Sequence, residues 1–123
     1  MLLALTTAAA LGAVARYLVD VAVQRRTSAT WPLGTLAVNL TGSFVLGFLV
    51  GLGLYHSRSD PVRTVAGTGF VGAYTTFSTF SYETVRLLQD GSRRTALLNV
   101  AVGTAGGLTA ATLGLALAGT LPG

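Results

Sequence analysis

The stretch Gly72-Ala73-Tyr74-Thr75-Thr76-Phe77-Ser78-Thr79-Phe80-Ser81 sets five hydroxyl residues besides Tyr74 around two phenylalanines spaced i, i+3, inside a long hydrophobic run. A helix that faces lipid uniformly does not carry so many polar, uncharged groups. Such side chains satisfy backbone groups freed by a helix break, and a break at membrane depth is tolerated only where protein or water surrounds it. The stretch therefore predicts a third helix broken in mid-membrane. The residues alone also fit a plainer reading, in which Phe77 and Phe80 pack and the hydroxyls bond back to their own helix.

Outward from this stretch the chain is apolar almost throughout. Of its 123 residues 51% are hydrophobic and 10% charged, and the mean hydropathy is +0.66. A soluble domain does not hide that much apolar surface. Runs of the roughly 20 residues needed to cross a bilayer lie at about Leu2 to Val23, Leu33 to Leu54, Thr64 to Leu88 and Ala96 to Ala118. The first contains Arg16 and Asp20 and lacks a basic leader, so it reads as a retained helix rather than a signal peptide. The expected fold class is an all-α membrane protein of four transmembrane helices, with short connections that make sequential helices antiparallel neighbours. Trp31 and Pro32 suit a headgroup-level anchor and a helix start, Asp60-Pro61 a helix start, and Asp90-Gly91-Ser92 a turn.

All eight basic residues are arginines. Five of them, Arg25, Arg26, Arg86, Arg93 and Arg94, fall on one membrane face, and two, Arg58 and Arg63, on the other. That bias favours both termini outside the cytoplasm. The glycines at Gly47 and Gly51, and at Gly103 and Gly107, stand at the small-xxx-small spacing that lets helices approach closely, within one subunit or between two.

The chain has no cysteine and one histidine, His56, whose setting in a short loop reads as solvated. No nucleophile, base and orienting group come together, which argues against an enzyme. Arg16, Asp20 and Glu83 lie toward helix ends, where snorkelling or pairing, for Glu83 with Arg86, explains them. The polar inventory is instead neutral. Thr35, Asn39 and Ser43 share one face of the second helix. Phenylalanine ring edges and amide N–H groups carry partial positive charge, so Phe77, Phe80 and Asn39 suit an anion. Carbonyls freed at a break suit a small hard cation. A pathway without full charges lets an ion enter and leave.

Three segments, Gly12-Ala13-Val14-Ala15-Arg16-Tyr17, Gly34 through Phe44 and Gly69 through Phe80, resemble in order and spacing the Fluc/CrcB family of fluoride channels. The resemblance extends over residues 1–123, read as a single CrcB-like four-helix transmembrane domain. It implies an antiparallel, dual-topology dimer in the bacterial inner membrane, with two fluoride pores and a central sodium ion, acting as a passive exporter. By motif, Asn39 is the pore amide and Phe77 and Phe80 the rings whose edges face fluoride. Gly72 and Thr75 give backbone carbonyls to sodium, and Arg16 matches an arginine near the vestibule. Thr76, Ser78 and Thr79 match the polar break, and Ser43, Thr79 and Thr104 add hydroxyls along the pore. Where the family usually has Tyr and, one turn later, Ser, this chain reads Asn99 and Gly103, with Thr104 adjacent. That departure and the uneven arginines raise pairing with an oppositely oriented homologue as the alternative to a homodimer. Two other functions stand beside the channel. A small multidrug transporter requires an embedded carboxylate on the first helix, where only Asp20 stands, near its end. The other is a non-conducting partner subunit.

Overall fold

A computed structural model describes residues 1–27, 31–56 and 61–122. Arg58, counted in the charge balance, and Asp60, expected to open a helix, lie outside the described residues.

In a bilayer every backbone N–H and C=O must be satisfied within its own segment, so a chain this apolar folds as helices. The elements are α1 (Leu2–Arg25), α2 (Leu33–His56), α3 (Pro61–Thr64), a π-helical stretch (Val65–Val71), α4 (Gly72–Tyr74), α5 (Ser78–Gln89) and α6 (Arg93–Thr120). Taking residues 61–89 as one interrupted helix, four helices succeed one another. α1, α2 and α6 are each long and apolar enough to cross a membrane. At 1.5 Å per residue, the 24 residues of α2 reach about 36 Å, against a hydrocarbon core of about 30 Å. The chain is a multi-pass membrane protein. Each of these three helices runs two or three residues further at one or both ends than the hydropathy bounds. Those bounds follow apolar residues only, whereas the backbone ladder continues through the interfacial residues.

The third helical segment is built differently. α3, the π-helical stretch and α4 follow one another without interruption. The Gly72 N–H then reaches back to the Gly67 carbonyl, a wider i→i+5 turn. Residues 75–77 belong to no helix. Thr75 is extended, with φ −77° and ψ 157°, and α5 restarts at Ser78. α5 has 12 residues, about 18 Å at helical rise, too short to cross alone. Its end is closed by Gly91 at φ 82°. The Gly91 N–H donates to Leu88 and the Ser92 N–H to Leu87, the paired bonds of a glycine helix stop and the turn expected at Asp90-Gly91-Ser92.

Packing rests on glycine rather than on large side chains. A Cβ at Gly47 would collide with the Ala111 carbonyl, one at Gly51 would lie 2.6 Å from the Ala118 methyl, and one at Gly114 would collide with the Phe44 carbonyl. The approaches of Leu40 to Gly106, Gly47 to Ala111 and Gly51 to Ala118 advance in the same sense along α2 and α6, so the two lie side by side and parallel. Gly12 on α1 meets the Phe70 carbonyl, and Gly69 meets Ala8, which seats the π-helical stretch on α1. α1 and α2 are the expected antiparallel neighbours, joined where the Gly34 N–H donates to the Gln24 side chain at 2.9 Å. The tightest approaches, however, join alternate helices, because that is where the glycines fall. The Gly47/Gly51 spacing thus serves packing within the subunit. Large residues stay outside: Leu2, Leu3, Leu97, Leu108 and Phe77 are exposed. A lipid or protein environment must cover them.

Candidate functional site

The three residues between α4 and α5 are held by the side chain of Asn39. Its Nδ2 donates to the Thr76 carbonyl at 2.9 Å, and its Oδ1 accepts from the Thr76 N–H at 2.9 Å. The side-chain amide replaces both partners that Thr76 would have in a continuous helix. One of those partners is the carbonyl of Gly72, four residues back, which is thereby released. Among the described residues no backbone bond outside the helical ladders reaches the carbonyl of Gly72 or Thr75. The restart at α5 is stitched by Thr76, whose hydroxyl accepts from the Thr79 N–H at 3.2 Å and lies 3.4 Å from the Ser78 hydroxyl.

Beside this clamp lies a cleft of about 320 Å³. Asn39, Ser43, Leu36 and Leu46 line it from α2, Thr75, Thr76, Phe77 and Phe80 from the interruption and α5, and Gly103 and Thr104 from α6. Its lining carries no charged group. The rings of Phe77 and Phe80 are 6.2 Å apart and tilted by 45°. Phe80 is half-buried, whereas Phe77 is 80% exposed and projects from the subunit. The hydroxyls of Ser43 and Thr104 make no hydrogen bond to another described residue, while Thr41, Thr75, Thr84, Thr109 and Thr112 bond back to carbonyls of their own helical segments. The hydroxyls therefore divide between the two behaviours weighed from sequence. Chemically, the cleft offers hydroxyls, an amide edge and ring edges, all able to meet an anion without a counter-charge.

Of the residues singled out from sequence, Asn39, Ser43, Thr75, Phe77, Phe80 and Thr104 meet in this cleft. Thr79 does not line it; its N–H is engaged with the Thr76 hydroxyl. Gly72 borders a separate cleft with Arg63, Gly67 and Thr68. Arg16 stands apart on α1. Asn39 is more committed than a freely lining amide, since each end of its amide already holds Thr76. His56 is not simply solvated: its Nε2 lies 3.2 Å from the Ala118 carbonyl at the end of α6. The expected Glu83–Arg86 pair is not formed. Arg86 donates instead to the Tyr82 hydroxyl at 3.4 Å, and the Glu83 Oε1 is buried without a partner. Asn99 stands outside the cleft, 2% exposed, bonded to Trp31 and Thr84. Trp31 is thus pinned to α6 rather than being only a headgroup anchor. Thr84 escaped notice in the sequence because an isolated threonine on a helix carries no signal of its partner.

The pattern that describes CrcB-like proteins, camphor resistance (CrcB), matches residues 3–115. The chain belongs to the CrcB-like family. Relatives of this CrcB-like chain include a protein of Leifsonia xyli subsp. xyli named fluoride-specific ion channel FluC 1, 49% identical over 129 residues, covering 99% of this chain and 93% of the relative. A fluoride-specific ion channel FluC 2 of Mycobacterium tuberculosis H37Rv is 52% identical over 104 residues, 85% of this chain and 79% of the relative. Another FluC 2, from Moorella thermoacetica, is 50% identical over 111 residues, 89% of each chain.

Proposed function

We propose that this chain is a fluoride-selective channel, not an enzyme, that lets fluoride leave the cytoplasm of a bacterial cell passively across the inner membrane. The observation that carries the proposal is the uncharged cleft in which Phe77, Phe80, Asn39, Ser43 and Thr104 converge, in a chain whose relatives are named fluoride channels. Fluoride is small and strongly hydrated, so a pathway must replace water with donors. Hydroxyls and ring edges do so weakly enough for the ion to move on. In this reading the interruption at residues 75–77 lies at membrane depth, residues 61–89 form the third of four spans, and Arg16 and Thr79 act near the pathway rather than in the cleft.

The working unit is an antiparallel dimer. Support comes from Phe77, which projects from the single subunit and needs a cover in the membrane. The Gly72 carbonyl, released by the Asn39 clamp, and the Thr75 carbonyl, which no backbone bond outside the helical ladders reaches among the described residues, have the hard-oxygen chemistry that sodium prefers. Two carbonyls from each subunit would hold the ion at the centre of the dimer, where it supplies a fixed positive charge and a cross-link between broken helices. The partner is a second copy or an oppositely oriented homologue. Burial of Asn99 and the presence of Gly103, in place of a hydroxyl pair, keep a non-conducting subunit as the second reading.

Growth on fluoride tests the proposal in the cell. A bacterial strain lacking fluoride export should regain growth when the chain is expressed and should lose it again with Phe80→Ile. Growth that stays fluoride-sensitive, with the chain present in the membrane, favours the non-conducting reading.

A further inference from the structure

Phe80 is held from α6 at two points, and the polar one is a relay of three hydrogen bonds. The Trp31 indole N–H donates to the Asn99 Oδ1 at 3.0 Å, the Asn99 Nδ2 donates to the Thr84 hydroxyl at 2.8 Å, and that hydroxyl donates to the Phe80 carbonyl at 2.8 Å. Only one direction is possible. An indole N–H can only donate, and a carbonyl can only accept. Asn99 must therefore turn its oxygen to Trp31 and its NH2 to Thr84, whose single proton goes to Phe80. The second point is steric. Gly103 lies one helical turn after Asn99, on the same face of α6, and a Cβ there would lie 2.9 Å from the Phe80 ring at Cε1.

The geometry points to Asn99 and Gly103 as a paired seat that sets the height and rotation of the Phe80 ring in the cleft. Both are positioning residues, since neither is proposed to touch the ion. The inference rests on the fluoride-channel reading and gives a role to the two positions where the chain departs from the family's usual pair. The buried amide anchors the backbone of Phe80 through Thr84, and the missing side chain at residue 103 leaves room for the ring. The relay also joins α6 to the residues that open α2, so α2 grips the interruption through Asn39 while α6 grips the turn that follows it. A polar chain centred on a buried amide is costly to leave half-satisfied, which is what makes it able to fix a position.

The full-length chain, reconstituted in liposomes, allows two readouts. One is the rate of fluoride efflux. The other is the indole N–H resonance of 15N-labelled protein, a single peak because the chain has one tryptophan. Thr84→Val keeps the shape and removes the hydroxyl. It is expected to slow fluoride efflux about tenfold and to move the indole peak, while Thr84→Ser stays within about twofold of the parent in rate and leaves the peak in place. Gly103→Ala breaks no hydrogen bond, so it should slow efflux with the indole peak unmoved. It also serves if Thr84→Val does not fold. Efflux unchanged in Gly103→Ala, or Thr84→Ser as slow as Thr84→Val, overturns the assignment. A parent chain that releases no fluoride contradicts the channel reading instead. The relay is then judged by the indole peak alone, and a peak that stays put in Thr84→Val overturns it.

Discussion

The Asn39 side chain is an amide that stands in for a peptide. It meets the N–H and C=O of Thr76 at 2.9 Å each, in a part-buried setting. Removing it strands two backbone groups. Asn39→Ala is therefore expected to lower stability by about 2–4 kcal/mol, read as a fall in the thermal midpoint of the detergent-solubilised protein. Asn39→Asp should be at least as damaging, since it turns a carboxylate oxygen toward the Thr76 carbonyl. An Asn39→Ala protein as stable as the parent would show that the clamp holds nothing. Phe80 acts differently. Phe80→Ile keeps an apolar side chain against Gly103 but removes the ring edge, so it is expected to leave the fold intact and to cut fluoride efflux by about tenfold or more. Equal efflux from Phe80→Ile would remove the ring from the pathway. Asn39 and both phenylalanines were legible in the sequence as polar and aromatic groups in an apolar run. That Asn39 spends both ends of its amide on Thr76 was not legible, because a donor and an acceptor side by side on one side chain look the same whatever they face.

At the level of elements, the long helices were legible from hydropathy alone, and so was the density of hydroxyls around residues 75–81. The order of packing was not. Short loops suggest that neighbours in sequence pack most closely, yet α2 lies along α6, and the stretch Val65–Val71 lies along α1. Glycine placement decides this, since Gly47, Gly51 and Gly114 bring two backbones together where dispersion contacts accumulate and no large side chain intervenes. Two substitutions separate this cause from general glycine content. Gly47→Leu must displace the Ala111 backbone and is expected to cost about 3 kcal/mol. In Gly53→Ala the new methyl would meet the Arg63 guanidinium carbon at an ordinary 3.5 Å, and stability should hold within about 0.5 kcal/mol. Thermal unfolding in detergent reads both, and an equal loss from the two would contradict glycine-directed packing.

At the level of the molecule, a single chain leaves much apolar surface uncovered. Phe77 projects from it, and its apolar exterior needs lipid or protein. The sequence speaks to that cover ambiguously, in an arginine distribution of five against two that favours one orientation while the family resemblance implies both. A cysteine introduced at the exposed Gln89, in a chain with none of its own, resolves this by labelling intact cells with a membrane-impermeant maleimide. Labelling of about half the protein signals a homodimer of opposed copies, as expected where orientation is balanced. Labelling of all or none signals a partner from another gene. The central claim, that an uncharged cleft of hydroxyls and ring edges passes fluoride, is tested most directly by the purified chain alone in liposomes. Fluoride efflux is recorded with an electrode while valinomycin clamps the membrane potential. Rapid release of fluoride with chloride retained is the predicted result; folded, dimeric protein that releases neither ion, or both equally, would contradict it.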